Sequence, residues 1–303
     1  MTKNVRVRDA FEHRPSRRLA RGEFWIGASI FAERETEDNV EAHAAFCNEM
    51  GMDFVSIPVG RSGSYGFSYR TFSPSEIQDA AGSGLFVVAV VSGPFQRVVD
   101  EKGLRLALAD IARGTIAIGR AIEREATAVD SLLEACTNQG ADAVMIAEDV
   151  AYDGGSLFSP GTFRDVLLPL YSRFVDSIHR RGAFAAFHSC GNVTNLMADI
   201  VSSGFDGLSC QAECLDLPSL KRSYGAQIAL FTGVSREFLD SEHLSSEQKQ
   251  RFGRIVTDLG ADGGFALSSS SGLESPDTAA RLEKLYRLAD KAWPRTGGAD
   301  AQR

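Results

Sequence analysis

The stretch AVMIAEDV (Ala143–Val150) is a short apolar run that ends in two acidic residues, and other runs of the same character recur along the chain. These are FWIGAS (Phe24–Ser29), FVSIPVG (Phe54–Gly60), FVVAVVSGP (Phe86–Pro94), AFAAFHSC (Ala183–Cys190), GLSCQAE (Gly207–Glu213), IALFTGVS (Ile228–Ser235) and GFALSSSSG (Gly264–Gly272). Continuous apolar character is typical of strands in a parallel sheet that is buried on both faces. Helix-like stretches separate the runs, so the sequence predicts an α/β protein folded as a single (β/α)8 TIM barrel.

The length of the chain agrees with one such domain. A TIM barrel uses about 250 residues, and the chain has 303. We expect an N-terminal extension over residues 1–22, the barrel over residues 23–293, and a polar, Gly-rich and disordered tail over residues 294–303.

Turn and capping signals place the helices between the strands. Ser159-Pro160 and Ser275-Pro276 each combine an N-cap residue with proline at the first helical position. The segment Arg105–Gly140 is long enough for two helices, and its final glycine suits a helix end.

Composition excludes several classes of function. The net charge of −8 and the lack of a basic stripe argue against nucleic acid as a partner. The basic N-terminus has no apolar core of a signal peptide, and no run is long enough to span a membrane, so we expect a cytoplasmic protein. The five cysteines are an odd number, which argues against a disulfide framework.

Catalytic groups of a TIM barrel lie at the C-terminal ends of its strands. The candidate catalytic residues there are Glu148, Asp149 and Glu213. Adjacent strand residues point to opposite faces, so one of the Glu148–Asp149 pair is expected to face the barrel mouth. That carboxylate is a candidate general base, substrate anchor or metal ligand, and the alternative is a group that caps a loop or pairs with Arg164.

His188 and Cys190 are the sharpest local feature. They share one face of a strand, and imidazole and thiolate are the donors that zinc prefers. Cys210 on the next strand is the third candidate metal ligand, and Cys214 or a nearby carboxylate is the alternative. The alternative interpretation is a hydrogen-bonded imidazole beside a buried thiol without a metal.

Four further positions are candidate substrate-binding residues: Tyr152, Phe95, Arg61 and Ser271. Ser271 ends a serine run after the last strand, where many TIM barrels bind an anionic group. Arg61 lies in a connection, Gly60–Glu76, that is rich in glycine, serine and aromatic residues. This connection is either a lid over the mouth or a packed surface loop.

The segment Glu148–Asn195 resembles the uroporphyrinogen decarboxylase superfamily, and more specifically its cobalamin-dependent methyltransferase branch. The residues that carry the resemblance are AEDVAYDGGSLFSPGTFRDVLLPLYSRFVDSIHRRG and the following FHSCGNVTNLMADIVSSGFDGLS. VVSGPF (Val90–Phe95) and the segment around the last strand agree with it.

The resemblance implies a methyltransferase that moves a methyl group between a small methylated substrate or thiol and a corrinoid. It further implies zinc held by His188 and Cys190, and a cobalamin carried by a partner corrinoid protein that docks over the mouth. The last-strand cysteine that completes the zinc site in thiol-methylating relatives aligns with Ser271 in this chain.

Two other functions stay open. One is a decarboxylase-like lyase that acts on a polycarboxylate or tetrapyrrole without a cofactor, although the arginine-rich motif of true decarboxylases is missing. The other is a non-catalytic barrel that binds a small molecule. Barrels of this superfamily are often dimers, so the resemblance also allows a homodimer.

Overall fold

A computed structural model of the chain describes residues 3–60, 69–269 and 271–293. Among these residues, no helix combines the length and the apolar character that crossing a membrane would need. Arg61 and the whole predicted tail, residues 294–303, fall outside the described residues.

The strands number ten along the described chain. They are β1 (Ala20–Arg21), β2 (Phe54–Val59), β3 (Phe86–Ser92), β4 (Ala143–Ala147), β5 (Ala151–Tyr152), β6 (Gly155–Ser156), β7 (Phe184–Ser189), β8 (Gly207–Cys210), β9 (Ala229–Val234) and β10 (Phe265–Ser269). β5 and β6 form a small antiparallel hairpin, and the other eight form one parallel sheet.

The parallel sheet has the order β1-β10-β9-β8-β7-β4-β3-β2. From β2 to β10, and apart from the hairpin, successive strands along the chain are neighbours, as in a TIM barrel, while β1 and β2 are the two edges. At the two edges, the Asp53 backbone N–H before β2 donates to the Arg21 carbonyl oxygen of β1 at 2.7 Å. The chain is therefore an α/β protein with a curled eight-stranded parallel sheet, consistent with a TIM-like barrel.

Helices lie between the strands of the parallel sheet. The α-helices are α1 (Lys3–Phe11), α2 (Ala28–Glu33), α3 (Val40–Glu49), α4 (Pro94–Lys102), α5 (Leu104–Ala112), α6 (Ile116–Asn138), α7 (Pro160–Val166), α8 (Leu168–His179), α9 (Met197–Ser202), α10 (Leu217–Tyr224), α11 (Arg236–Asp240), α12 (Ser246–Gly260) and α13 (Pro276–Ala292). Short 3₁₀ helices occur at Pro74–Ala80, Thr194–Leu196 and Ala212–Cys214. The predicted serine caps of α7 and α13 are confirmed, since the Ser159 and Ser275 side chains accept hydrogen bonds from backbone N–H groups.

Alternation along the strands divides the core into two layers. In β7, Phe187 packs in the large cluster shared with the helices, whereas Ala186 belongs to a second cluster inside the curled sheet. The inner cluster contains many aromatic rings, among them Phe24, Trp25 and Phe231. The residues at the inner positions of a strand therefore line the interior of the sheet, and the last of them lie at its C-terminal mouth.

The first predicted strand is wrong. Phe24–Ser29 contributes only an isolated bridge, between Ile26 and Leu273, and β1 lies earlier, at Ala20–Arg21. The physical reason is Glu23, whose buried carboxylate accepts the Ser269 N–H at 3.0 Å. The Ser269 N–H belongs to the hydrogen-bond ladder of β10. Because it donates to Glu23, the backbone of residues 24–29 has no donor to pair with at this position. The other predicted strands coincide with observed ones to within three residues at either end.

Candidate functional site

The ends of β4 and β7 bring three metal-binding side chains together at the mouth. Ala147 pairs with His188 in the ladder, so Asp149 and Cys190 lie two residues beyond this level on neighbouring strands. One ligand atom from each of Asp149, His188 and Cys190 lies within 4.8 Å of the others. We call these three residues the mouth cluster. Among the described residues, it is the only group of this kind.

The two adjacent carboxylates have different environments. Glu148 is fully buried and turns away from the cluster toward the start of α4. Its Oε1 accepts hydrogen bonds from the Phe95 backbone N–H and the Tyr171 hydroxyl, both at 2.9 Å. Burial raises the pKa of Glu148 to about 8. Of the two roles that the sequence left open, the structure gives Glu148 that of a cap and leaves Asp149 facing the mouth.

Close packing around Glu148 explains the Gly-Pro-Phe sequence that precedes α4. A Cβ atom on Gly93 would lie 1.7 Å from the Glu148 Oε2 atom, so only glycine admits the carboxylate. Pro94 occupies the first turn of the helix, where no N–H partner is needed. The carboxylate accepts instead from the next free N–H groups, which is the usual arrangement for an acidic group at a helix N-terminus.

His188 is held in one orientation by its neighbours. Its Nδ1 atom lies 3.0 Å from the Ser209 hydroxyl on β8, and the Trp25 ring packs at 4.3 Å between ring centroids. A proton on Nδ1, donated to Ser209, leaves the Nε2 lone pair directed toward Cys190. Burial lowers the pKa of His188 to about 4, so the imidazole is neutral at pH 7 and able to act as a ligand.

Cys190 is positioned by its own backbone and by the glycine that follows. Its N–H donates to Asp149 Oδ1 at 2.9 Å, and its Sγ lies 3.7 Å from His188 Nε2. Burial, and then the charge of Asp149, raise the pKa of the Cys190 thiol far above its usual range. Gly191 adopts φ +79°, and a Cβ there would lie 2.6 Å from the backbone of Ala151 and Tyr152. The His-Ser-Cys-Gly-Asn run is therefore a tight turn against the β5–β6 hairpin.

The donor set of the mouth cluster fits a zinc ion. It offers one nitrogen, one sulfur and one carboxylate oxygen, which are the three donor types of zinc sites. Three protein ligands are also the usual number in catalytic zinc sites, where the fourth position receives water or substrate. The hydrogen bond from His188 to Ser209 matches the outer-shell contact that orients a ligating histidine. A divalent cation would also reverse the effect of burial on the thiol, because a coordinating thiol is deprotonated.

The structure does not bring the third predicted metal ligand to the cluster. Cys210 lies opposite Ser189 in the ladder and packs with Leu208 in the outer core cluster, between the sheet and the helices. Ser209, one residue earlier, is the β8 side chain that contacts His188. Glu213 lies in the 3₁₀ turn after β8, where it is exposed and outside the mouth cluster.

The predicted substrate-binding residues differ in their surroundings. Phe95 is fully buried and packs edge-on against Phe158, so its side chain belongs to the core. Tyr152 is 58% exposed on the β5–β6 hairpin beside Gly191. The Ser271 carbonyl accepts from the Tyr69 hydroxyl at 3.3 Å, and Arg61 lies outside the described residues. Arg164 pairs with Asp199 at 2.8 Å rather than with either predicted catalytic carboxylate.

Several contacts around the cluster were not predicted from the sequence. Ser209 could have been found from strand alternation in GLSC, which puts it on the face opposite Leu208 and Cys210. Gln211 accepts the Gly191 N–H at 2.8 Å and lies 3.4 Å from the Cys214 sulfur. Cys214 in turn lies 3.5 Å from Asp153 Oδ1. No local sequence signal identifies the Gly191–Gln211 and Asp153–Cys214 contacts, because each of them joins two different loops.

Comparisons with known proteins agree with this picture. The profile of the uroporphyrinogen decarboxylase (URO-D) family matches residues 75–278. The methylcobamide:CoM methyltransferase MtaA of Methanosarcina barkeri is 25% identical over 162 residues, which are 54% of this chain and 46% of that protein. The chain thus aligns with about half the length of this relative.

Solved structures support the same fold. A methyltransferase from Methanosarcina mazei superposes with a TM-score of 0.73 at 18% identity, covering 96% of this chain and 99% of that one. A putative vitamin-B12 independent methionine synthase from Listeria monocytogenes gives a TM-score of 0.57 at 12% identity, covering 92% and 98%. The family match extends over more than half of the chain and includes the whole mouth cluster. The chain therefore belongs to the uroporphyrinogen decarboxylase superfamily, and its resemblance to the methyltransferase branch is confirmed.

Proposed function

We propose that this protein is a zinc-assisted methyltransferase that moves a methyl group between a small methylated substrate or thiol and a corrinoid carried by a partner protein. The observation that carries the proposal is the mouth cluster, in which Asp149, His188 and Cys190 place their ligand atoms within 4.8 Å of one another. The name of the Methanosarcina barkeri relative, a methylcobamide:CoM methyltransferase, supports the choice of methyl donor and acceptor.

Zinc bound there would supply Lewis acidity, either toward a thiol that must lose its proton or toward a leaving oxygen. In the thiol direction, bound zinc would lower the pKa of the thiol so that its proton is released to solvent, and the corrinoid would supply the methyl group. Asp149 and His188 would act as ligands whose positions are fixed before substrate arrives, by the Cys190 N–H and the Ser209 hydroxyl.

Asp149 has a particular place in this proposal. Ser271 stands where thiol-methylating relatives have a last-strand cysteine, and a hydroxyl is a poorer zinc ligand than a thiolate. The Asp149 carboxylate is the third donor that the structure brings to His188 and Cys190. We therefore propose a ligand set of one nitrogen, one sulfur and one oxygen.

The first experiment is metal analysis by mass spectrometry on protein purified without chelator. We expect near one zinc per chain in the wild type, and a fall of about tenfold or more in Cys190→Ser and Asp149→Asn. Cys210→Ala is the matched control, because this thiol lies in the outer core, and it is expected to keep its zinc. Zinc that persists in Cys190→Ser, or a wild type without metal, would contradict the proposed site.

Activity is tested separately with methylcobalamin as methyl donor and coenzyme M as acceptor. The acceptor is chosen because the curated relative bears it in its name. We expect loss of the methylcobalamin absorbance in the presence of the wild type, and no loss with His188→Ala. A zinc-loaded protein that methylates no thiol under these conditions would contradict this acceptor while leaving the metal site in place.

A further inference from the structure

A cationic cleft lies between α13 and the segment that joins α11 to α12. It has a volume of about 320 Å³. It shares no residue with the mouth cluster. The cleft therefore calls for an explanation that is independent of the proposed methyl transfer.

Basic side chains line the rim of the cleft. They are Lys249, Arg281, Lys284, Arg287 and Lys291. Among the described lining residues, Glu242 is the only carboxylate. This concentration of positive charge stands out on a chain whose net charge is −8, and low-dielectric walls focus the field of such a cleft.

Most of this charge is not used within the fold. Arg287 forms an ion pair with Glu283, and Arg281 donates to the Asp240 carbonyl oxygen at 3.2 Å. Lys249, Lys284 and Lys291 form no ion pair with any other residue that the structure describes. Lys284 and Lys291 are two turns apart on α13, so their positions are separated by roughly 10 Å along the helix. An occupant would therefore need several negative charges spread over a comparable length.

The floor of the cleft is apolar. Phe238 and Leu285 are buried there, and Leu244 and Leu288 are partly buried. Pockets for small organic ligands typically combine such a floor with a few polar groups, and the volume lies at the lower end of their range. Arginine and lysine together are the usual partners of phosphate groups.

We propose that this cleft binds a small organic polyphosphate of the nucleotide class. The apolar portion of the ligand would rest on the leucine and phenylalanine floor. Its phosphate groups would lie between Lys249 of α12 and the lysines of α13. The cleft is concave, with α13 on one side and the segment 241–245 on the other, which favours a small molecule over an extended acidic segment of a partner protein.

The test is isothermal titration of the full chain with ATP in a magnesium-free buffer of low ionic strength. Adenosine and inorganic tripolyphosphate are titrated in parallel. We expect one ATP per chain, weaker binding of tripolyphosphate and no binding of adenosine. Because the rim is exposed, the affinity for ATP is also expected to fall as salt is added.

Paired charge reversals identify the cleft as the site. Lys284→Glu/Lys291→Glu is expected to raise the Kd for ATP by about tenfold or more. Arg105→Glu/Arg120→Glu is the matched control, since both arginines are exposed on other helices and it changes the net charge equally. All four positions are exposed, so both variants are expected to keep the wild-type circular dichroism.

Three results would overturn the proposal. The first is no measurable binding of ATP by the wild type at low salt. The second is an equal loss in the control variant, which would indicate general attraction to the surface. The third is equal affinity for tripolyphosphate and ATP, which would show that the apolar floor takes no part. None of these results depends on zinc or on methyl transfer.

Discussion

Glu23 is a buried carboxyl group whose protonation is expected to be linked to folding. Burial raises its pKa from 4.5 to about 7, although hydrogen bonds from Ser269 and Tyr286 favour the charged form. A carboxyl group with a raised pKa in the folded state stabilises the protein fully below its unfolded pKa. That contribution is lost as the pH rises through the folded pKa. Over this window, its size is on the order of 3 kcal/mol.

Glu23→Gln isolates this contribution. Glutamine keeps an acceptor for the Ser269 N–H but does not titrate. We expect the wild type to lose stability relative to Glu23→Gln between about pH 4.5 and pH 7, and the difference to be constant above that range. The measurement is urea unfolding of both proteins at closely spaced pH values. Parallel stability curves across this window would contradict the prediction.

The mouth cluster shows which single residues a sequence can reveal. His188 and Cys190 were identifiable because strand alternation puts both on one face, and the alternation of Glu148 and Asp149 predicted that one carboxylate would face the mouth. Which of the two carboxylates faces the mouth depends on the hydrogen bond from the Phe95 N–H to Glu148 and on the small size of Gly93. Both contacts join residues that are more than 50 positions apart in the chain. Glu23 was missed because nothing in its local sequence indicates that a carboxylate would be buried there.

At the scale of elements, Glu148 connects the end of β4 to the start of α4. Glu148→Ala leaves the Phe95 N–H and the buried Tyr171 hydroxyl without their acceptor. We expect a loss of about 2–4 kcal/mol in the free energy of unfolding. Glu148→Gln retains an acceptor and is expected to cost less than about 1 kcal/mol. Chemical denaturation of the two variants is the measurement.

Metal content separates this role from that of its neighbour. We expect folded Glu148→Gln to retain zinc, whereas Asp149→Asn loses it with little change in stability. If Glu148→Gln loses zinc as completely as Asp149→Asn while remaining folded, the assignment of Glu148 to the helix cap is wrong.

A repeated hydrogen-bond pattern at the strand starts was also not predicted from the sequence. An aspartate precedes each of β2, β4 and β8, and its carboxylate accepts a backbone N–H from the neighbouring strand. These contacts join Asp53 to Arg21, Asp142 to Val87, and Asp206 to Ala185. The apolar runs predicted where strands lie, but these aspartates lie outside the runs. Their role becomes visible only when neighbouring strands are paired in register.

At the scale of the whole molecule, α1 is part of the core. Its Val7 and Phe11 belong to the inner cluster of the curled sheet. Arg6 pairs with the fully buried Asp53 just before β2. The sequence predicts an N-terminal extension over residues 1–22, because this segment is basic and its few apolar residues do not form a strand-like run. Only the curvature of the sheet shows what those apolar residues contact.

Phe11→Ala tests whether α1 and the sheet unfold as one unit. The Phe11 ring packs against Phe184 and Phe231 at centroid distances of 4.7 and 4.8 Å and is 4% exposed. Its removal leaves a cavity inside the sheet, and we expect a cost of about 3–5 kcal/mol. Unfolding is followed by circular dichroism and by tryptophan fluorescence, since Trp25 lies in the same inner cluster. The two probes are expected to give coincident transitions shifted to lower urea.

Val5→Ala, at a half-buried position of the same helix, is the control and is expected to cost less than about 1 kcal/mol. If both variants unfold like the wild type, α1 is an appendage, and the interior of the sheet is stable without it.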